Sequence, residues 1–222
     1  MRHKKRNTIT NADVRGGILE TMKEYKVLFL TCNKNTLGLY KWLETKVNVK
    51  LLEEKITLDF VREYKPNLIV SYNYSYIISK NIIEYMCGNI VNLHISYLPW
   101  NRGASPNFWS FIDDTPKGVT IHQIDSGLDT GKIIFQKKCL FDISKETFAS
   151  TYEKLNYEII ELFKKNWKNI KEKKYVLHEQ TESGSYHTTL ELDELKRECP
   201  FEWCDNIEEY IKKYEKYKTR RN

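Results

Sequence analysis

Short apolar segments with the length of buried strands alternate with segments of helical apolar spacing along the first two thirds of this chain. Residues 26–31 (Lys-Val-Leu-Phe-Leu-Thr) and 67–71 (Asn-Leu-Ile-Val-Ser) have strand patterns, and residues 37–43 between them have the apolar spacing of a helix. Thr57 is placed to cap a second helix, which Pro66 ends. This alternation predicts an α/β fold with a Rossmann-like open, mostly parallel sheet and helices on both faces.

The alternation continues into the middle of the chain. We predict a helix over residues 77–86, a strand over 90–94, a helix over 105–111, and strands over 118–124 and 132–140. Ser144 is predicted to cap a long helix whose apolar residues recur at three- and four-residue steps: Phe148, Tyr152, Leu155, Ile159, Leu162 and Phe163. In open α/β sheets the ligand crevice lies at the carboxyl ends of the strands, so the site is expected there.

Three polar residues are expected to meet at this crevice. Asn92 and His94 lie two residues apart at the end of the 90–94 strand, so their side chains project to the same face. Asp129 follows in the segment Gly-Leu-Asp-Thr-Gly at 127–131. Acyl transfer to an amine needs an oxyanion donor, a base and a group that orients the base, and these residue types supply them. Taken singly, each has a structural explanation, including an ordinary turn at Asp129.

The stretch from residue 91 to residue 141 resembles the catalytic core of the folate-dependent formyltransferases, which include glycinamide ribonucleotide, methionyl-tRNA and sugar-nucleotide enzymes. The matching motifs are Asn-x-His-x-Ser-x-Leu-Pro at 92–99, Arg-Gly at 102–103, Gly-Val-Thr-Ile-His at 118–122 and Leu-Asp-Thr-Gly at 128–131, followed by Ile133, Ile134 and Gln136. The resemblance implies that Asn92, His94 and Asp129 are the catalytic trio. It also implies 10-formyltetrahydrofolate as the formyl donor and a primary amine as the acceptor.

The resemblance further implies where the two substrates bind. The folate is expected against the loop after the 67–71 strand, at Tyr74, Ser75, Tyr76 and Ile77, and near Asp125. For the acceptor we predict contacts at Ser96, Arg102, Gly103 and Trp109. In this scheme the Arg102 guanidinium meets a phosphate and Trp109 stacks on a base or sugar. An alternative that the sequence leaves open is that Phe108 and Trp109 are core residues of a helix.

The acceptor is predicted to be a nucleotide-linked amino sugar used in surface polysaccharide biosynthesis. Residues 32–36 (Cys-Asn-Lys-Asn-Thr) lack the glycine-rich phosphate cradle of the glycinamide ribonucleotide enzymes, and the chain has no room for the C-terminal domain of the methionyl-tRNA enzymes. Both activities remain alternatives, as do a formyltetrahydrofolate hydrolase and a non-catalytic folate-binding module. Too few residues precede residue 26 for the hydrolase's regulatory domain, and the intact trio disfavours a non-catalytic module.

A length of 222 residues suits one domain with a short appendage. We predict a flexible N-terminal extension at residues 1–23, a catalytic domain at 24–175 and a C-terminal tail at 176–222. The tail is expected to form a hairpin or a terminal helix. Its apolar residues, Leu190, Leu192, Leu195, Phe201 and Trp203, suggest a homodimer contact.

Composition and charge narrow the remaining function classes. No apolar run approaches the roughly 20 residues of a membrane helix, and no secretory signal follows the basic residues at 2–6, so a cytoplasmic location is expected. Much of the net charge of +6 lies at the two ends of the chain, which argues against a nucleic-acid partner. The five cysteines are expected to be free thiols, and no metal site is predicted.

Overall fold

The computed structural model describes residues 24–221, which form a main six-stranded sheet, a two-stranded sheet and helices packed against them. The strands are β1 (Lys26–Leu30), β2 (Asn48–Leu52), β3 (Leu68–Tyr72), β4 (Ile90–His94), β5 (Arg102–Gly103), β6 (Gly118–Gln123), β7 (Ile133–Lys138) and β8 (Tyr186–His187). The helices are α1 (Leu37–Glu44), α2 (Leu58–Tyr64), α3 (Lys80–Met86), α4 (Pro106–Ile112), α5 (Phe148–Lys171), α6 (Thr189–Glu198) and α7 (Ile207–Arg221). A short 3-10 helix (Lys34–Thr36) precedes α1.

The strand order in the main sheet is β2-β1-β3-β4-β6-β7. β2, β1, β3 and β4 are parallel to one another, whereas β6 and β7 are antiparallel to their neighbours. The parallel strands end at one edge of the sheet, where β4 closes with His94. The open, mostly parallel α/β sheet predicted from the sequence is therefore confirmed.

Helices cover both faces of the sheet, because successive strand residues point to opposite sides. On one face, Val27 and Phe29 of β1 pack with residues of α1 and α5, including Leu39, Leu43, Leu155, Ile159 and Phe163. On the other face, Leu28 and Leu30 pack with residues of α2 and α3, including Val61, Ile82 and Met86. This second face is the one that carries the polar cluster described below.

Local capping sets where two of the helices begin. Thr57 caps α2 as predicted, since its side chain accepts a hydrogen bond from Phe60 N. The predicted cap at Ser144 is wrong. The Ser144 hydroxyl bonds Asp142 instead, and Thr147 caps α5 through a capping box that satisfies two backbone N–H groups reciprocally with Ser150. A Thr-x-x-Ser box therefore outcompetes the lone serine three residues earlier.

Three strands were not predicted from the sequence. β2 is half-exposed and carries a mixed polar pattern, because it is the edge strand of the main sheet. β5 and β8 are two residues each and pair only with one another, far apart along the chain. Gly103 is required in β5 because its φ is 85° and an added Cβ would lie 2.4 Å from the His187 carbonyl oxygen.

Residues after 175 return to the catalytic half of the chain. Leu192 of α6, Phe201 of the following loop and Tyr210 of α7 pack in one buried cluster with Phe108 of α4, so Leu192 and Phe201 are not free for the proposed dimer surface. Leu190 and Trp203 remain exposed, and the homodimer stays a prediction. The N-terminal extension at 1–23 lies outside the described residues. Within residues 24–221, no helix has the length and apolar character needed to cross a bilayer.

Candidate active site

Neighbouring strands β4 and β6 project polar side chains from the same face of the sheet. Val91 and Leu93 of β4 belong to the core under α1 and α5, so the alternate residues Asn92 and His94 point to the opposite face. In the antiparallel register Asn92 lies opposite His122. The strand thus carries an amide and an imidazole to its carboxyl end, with a second imidazole beside them.

Asp129 reaches this face from the loop between β6 and β7. Asp125 shapes the loop, since its Oδ1 accepts hydrogen bonds from Gly127 N at 3.0 Å and from Thr130 Oγ1 at 2.7 Å. Asp129 has a φ of 54°, a left-handed conformation that aspartate tolerates better than most residues. Gly131 is needed nearby, because an added Cβ would lie 1.8 Å from the Gln123 carbonyl oxygen.

The three predicted catalytic side chains meet at the Asp129 carboxylate. Asn92 Nδ2 donates to Asp129 Oδ1 at 3.2 Å, and His94 Nδ1 lies 3.7 Å from Asp129 Oδ2. Gly103 N donates to the same Oδ2 at 2.9 Å. The His94 and Asp129 side chains are only 8% and 11% exposed, so water screens this cluster little. The spacing of Asn92 and His94 therefore predicted their placement correctly.

A backbone contact fixes which nitrogen of His94 carries the proton. His94 Nε2 lies 3.1 Å from the Asn101 carbonyl oxygen, which can only accept, so Nε2 is the donor. Burial lowers the pKa of His94, and the nearby Asp129 carboxylate opposes this effect only in part. At neutral pH the imidazole is therefore neutral, and its Nδ1 lone pair faces the carboxylate and the cavity.

Asp129 remains ionised in this environment. Burial alone would raise the pKa of Asp129, but the neighbouring His94, His122 and Gly103 N–H outweigh it and hold this pKa well below its usual range. A carboxylate with so low a pKa is a weak base. It is better suited to stabilise a positive charge that develops on His94.

His122 is a member of the cluster to which sequence reasoning gave no role. Its Nδ1 donates to the Gln123 carbonyl oxygen at 2.7 Å, so its Nε2 accepts from Asn92 Nδ2 at 3.2 Å. The same Nε2 lies 3.4 Å from Asp129 Oδ1. The signal was available in the sequence: Val119 and Ile121 of β6 alternate with Thr120 and His122, which puts the histidine on the polar face.

A cavity of about 1160 Å³ opens over this cluster. Asn92, His94, His122 and Asp129 all line it. So do the residues predicted for the folate, namely Tyr74, Ser75, Tyr76, Ile77 and Asp125. Pockets for a single small ligand usually measure about 300–1,000 Å³, so this cavity lies just above that range.

A second cavity of about 680 Å³ adjoins the first. The two share Asn33, Ile95, Pro106 and Tyr152 in their linings, so they are continuous past the end of β4. The second cavity is lined mostly by apolar, aromatic and amide side chains, and Trp203 lies at its wall with 41% of its surface exposed.

Comparison with known proteins identifies the family of this chain. A family described as formyl transferase matches residues 3–163. The chain belongs to the formyl transferase family. The resemblance carried by the motifs at 92–99 and 128–131 is thereby confirmed.

Several relatives of this formyl transferase are known in more detail. The methionyl-tRNA formyltransferase of Agathobacter rectalis is 30% identical over 145 residues, which are 65% of this chain and 46% of that protein. The dTDP-4-amino-4,6-dideoxyglucose formyltransferase of Mycobacterium bovis is 34% identical over 107 residues, 48% of this chain and 45% of that protein. The chain thus spans less than half the length of these curated relatives.

Among solved structures, the formyltransferase PseJ from Anoxybacillus kamchatkensis is similar over nearly its whole length. It matches with a TM-score of 0.76 and 38% identity over 85% of this chain and 98% of that one. That protein was crystallised with UDP-4,6-dideoxy-4-formamido-L-AltNAc and tetrahydrofolate. The Mycobacterium tuberculosis protein Rv3404c shares the fold, with a TM-score of 0.69 at 24% identity over 78% of each chain.

Only one of the four residues predicted for the acceptor lines either of these cavities. Gly103 lines the main cavity and holds Asp129, but the linings of the two cavities do not include Ser96, Arg102 or Trp109. The buried Ser96 hydroxyl donates to the Trp100 carbonyl, and the Trp109 ring is stacked on His187 with centroids 4.1 Å apart. Trp109 is a buried residue of α4, as the alternative interpretation held.

Arg102 is directed toward the C-terminal tail. Its Nε and Nη2 donate to Gln180 Oε1 at 3.0 and 2.7 Å, and its Nη1 donates to the Ser183 carbonyl at 3.2 Å. A phosphate would have to displace Gln180 to reach this guanidinium. Within the described part of the chain, no group of three or more His, Cys, Asp or Glu side chains is arranged to hold a metal ion, and all five cysteines are free.

Proposed function

We propose that this protein is an N-formyltransferase that moves the formyl group of 10-formyltetrahydrofolate to the primary amine of a nucleotide-linked amino sugar. The observation that carries the proposal is the convergence of Asn92, His94 and Asp129 at the floor of a cavity that continues into a second one. The similarity to PseJ over 98% of its chain supports the same substrate classes.

His94 is the base in the proposed reaction. The acceptor amine attacks the formyl carbon, and the nitrogen must lose a proton as the C–N bond forms. His94 Nδ1 takes this proton, because Nε2 is already occupied by the Asn101 carbonyl. The imidazolium that results lies beside the ionised Asp129, whose charge stabilises it. The C–N10 bond of the donor then breaks, and N10 takes up the proton that His94 received, which gives tetrahydrofolate and returns His94 to its neutral form.

Asn92 is the donor to the developing oxyanion. In the free protein its two Nδ2 hydrogens are directed to Asp129 Oδ1 and to His122 Nε2, both at 3.2 Å. The formyl oxygen therefore has to draw one of them away, and this happens most readily when the oxygen becomes negative in the transition state. Removing a donor of this kind typically lowers the rate by about a hundred- to a thousandfold.

The two cavities offer separate places for the two reactants. The folate is assigned to the main cavity between Tyr74–Ile77 and Asp125, where the exposed apolar side chains of Ile77 and Leu128 suit the aromatic parts of a folate. The acceptor sugar or base is assigned to the adjoining cavity. Its side-chain amides, which include those of Asn33 and Asn156, can hydrogen-bond to hydroxyl and acetamido groups. The exposed indole of Trp203 can stack on a sugar or base.

The test is a transfer assay on the purified full chain with 10-formyltetrahydrofolate and UDP-, dTDP- and GDP-linked amino sugars. His94→Ala is the loss-of-function control, and methionyl-tRNA is included as a competing acceptor because such enzymes are among the relatives. Formylation of one sugar, lost in His94→Ala, is the expected result. Formylation of the tRNA alone, or formate release without an acceptor, would replace the proposal with that activity.

A further inference from the structure

The side chain of Gln180 joins the C-terminal tail to the loop that carries Asp129. Gln180 Nε2 donates to the carbonyl oxygens of Asp129 and Gly131, both at 2.8 Å. Gln180 Oε1 accepts from Arg102 Nε at 3.0 Å and from Arg102 Nη2 at 2.7 Å. A glutamine amide has two N–H donors and an oxygen with two lone pairs, so all of its hydrogen-bonding capacity is used. We call this set of four hydrogen bonds the Gln180 clamp.

The clamp holds the part of the loop whose backbone conformation is unfavourable. Asp129 has a φ of 54°, and a non-glycine residue in that region persists only when its surroundings hold it there. The clamp fixes the carbonyl of Asp129 itself and the carbonyl two residues on. Arg102 completes the link, because the next residue, Gly103, donates from its backbone to Asp129 Oδ2 at 2.9 Å. Backbone and carboxylate are therefore held by connected groups.

We propose that Gln180 is a positioning residue for formyl transfer: through the clamp it holds the Asp129 carboxylate beside His94. The inference rests on the proposed function, since the reaction is what makes this placement matter. Gln180 lines neither cavity, so it acts through Asp129. The C-terminal tail then contributes to the active site, and Arg102 supports the loop that carries Asp129 instead of binding a substrate phosphate.

Removing the Gln180 side chain should leave the tail docked. His178, two residues earlier, is bridged to Ile133 by two backbone hydrogen bonds of 2.8 and 2.9 Å, and β8 still pairs with β5. Loss of the amide therefore tests the clamp and not the fold. The neighbouring Glu179 gives a matched control, because its side chain is 65% exposed and its ion pair is with Lys132.

Two substitutions separate the roles of the amide. Gln180→Glu keeps an acceptor for Arg102 but loses both donors, and it sets a carboxylate against the Asp129 and Gly131 carbonyls. Gln180→Met keeps the length and loses all four bonds. If Gln180 positions Asp129, both variants lower kcat by about 10- to 100-fold, the scale expected for an ångström-level misplacement of a catalytic group. If Gln180 only anchors the tail through Arg102, Gln180→Glu keeps the wild-type kcat.

The second readout is the titration of His94 by NMR without any substrate, with the resonance assigned from its loss in His94→Ala. The titratable groups facing His94 are Asp129 from the loop and His122 from β6. Asp129 raises the pKa of His94, so its displacement should move the His94 titration to lower pH in Gln180→Met, which adds no charge, and leave it unchanged in Glu179→Gln.

Each outcome of these experiments either supports or overturns the role proposed for Gln180. A reduced kcat together with a shifted His94 titration supports the clamp, with melting temperatures measured alongside to confirm that the variants are folded. A wild-type kcat in Gln180→Glu, or an unshifted His94 titration in Gln180→Met, would overturn it. If the wild-type protein transfers no formyl group at all, the proposed function fails, and the titration still tests whether Gln180 holds Asp129 beside His94.

Discussion

Replacing Asp129 by asparagine removes the charge that the proposed mechanism places beside the imidazolium of His94. The distance from His94 Nδ1 to Asp129 Oδ2 is 3.7 Å, and both groups are largely buried. With an effective dielectric constant of about 20, unit charges at this distance attract by roughly 4 kcal/mol, which corresponds to about a thousandfold in rate. Asparagine keeps the shape and still accepts from Gly103 N, so the loss should fall on kcat.

The assay is steady-state formyl transfer at saturating donor, with kcat and KM measured for each variant. Asp114→Asn is the matched control, because Asp114 also has a positive φ, 48°, yet its side chain is 96% exposed and its ion pair is with Lys117. We expect a roughly thousandfold lower kcat in Asp129→Asn and no change in Asp114→Asn. A kcat within tenfold of wild type in Asp129→Asn would refute the electrostatic role given to this carboxylate.

Three further predictions follow from the described contacts. Burial lowers the pKa of His94 below the usual value of about 6.5, so kcat should not change with pH near neutrality and should fall only as the pH drops through that lowered value. A kcat that already declines at a pH above 7 would contradict a neutral His94 base. Trp203→Ala should raise KM for the acceptor about tenfold and leave the donor KM unchanged, whereas a change confined to the donor would reverse the assignment of the two cavities. Thr147→Ala should lower the free energy of unfolding by about 1 kcal/mol in urea titrations, while Ser144→Ala should lower it less.

The same titrations make a stability prediction whose sign follows from proton uptake. His94 has a lower pKa in the folded than in the unfolded chain, so between those two values the unfolded state binds more protons and stability falls as the pH falls. The pKa of Asp129 is also lowered by folding, so its contribution is present above the unfolded value and is lost as the pH falls through the folded one. Both groups therefore favour the folded state at neutral over acidic pH.

The elements that place Asn92 and His94 could be predicted from the sequence, because their cause is local. A strand with period-two alternation assigns each residue a face, and the observed β4 spans the predicted residues 90–94. Asp129 was joined to them by the chemistry of its residue type and by the family resemblance, and no local pattern placed it beside β4. Its loop has the turn chemistry expected of Asp and Gly, but turn chemistry does not say which strand the loop will cross.

The parts that sequence reasoning missed depend on contacts between distant segments. Gln180 is 51 residues from Asp129 along the chain, and its neighbours carry no sequence pattern that marks it as a residue of the site. Arg102 was expected on a phosphate because guanidinium groups suit phosphates, and only the fold reveals that Gln180 occupies it. His122 was visible in the alternation of β6 but became meaningful only once the register set it opposite Asn92.

The measurement that tests the central claim most directly is a single-turnover experiment. Wild-type protein or His94→Ala, in excess over both substrates, is mixed with 10-formyltetrahydrofolate and the acceptor that the panel identifies. The formylated product is followed by mass spectrometry. We expect the wild type to form N-formyl product and tetrahydrofolate rapidly and in equal amounts. In His94→Ala we expect a rate lower by a hundredfold or more, roughly the contribution of a general base. Product formation at the wild-type rate by His94→Ala would contradict the role of His94 as the base of formyl transfer.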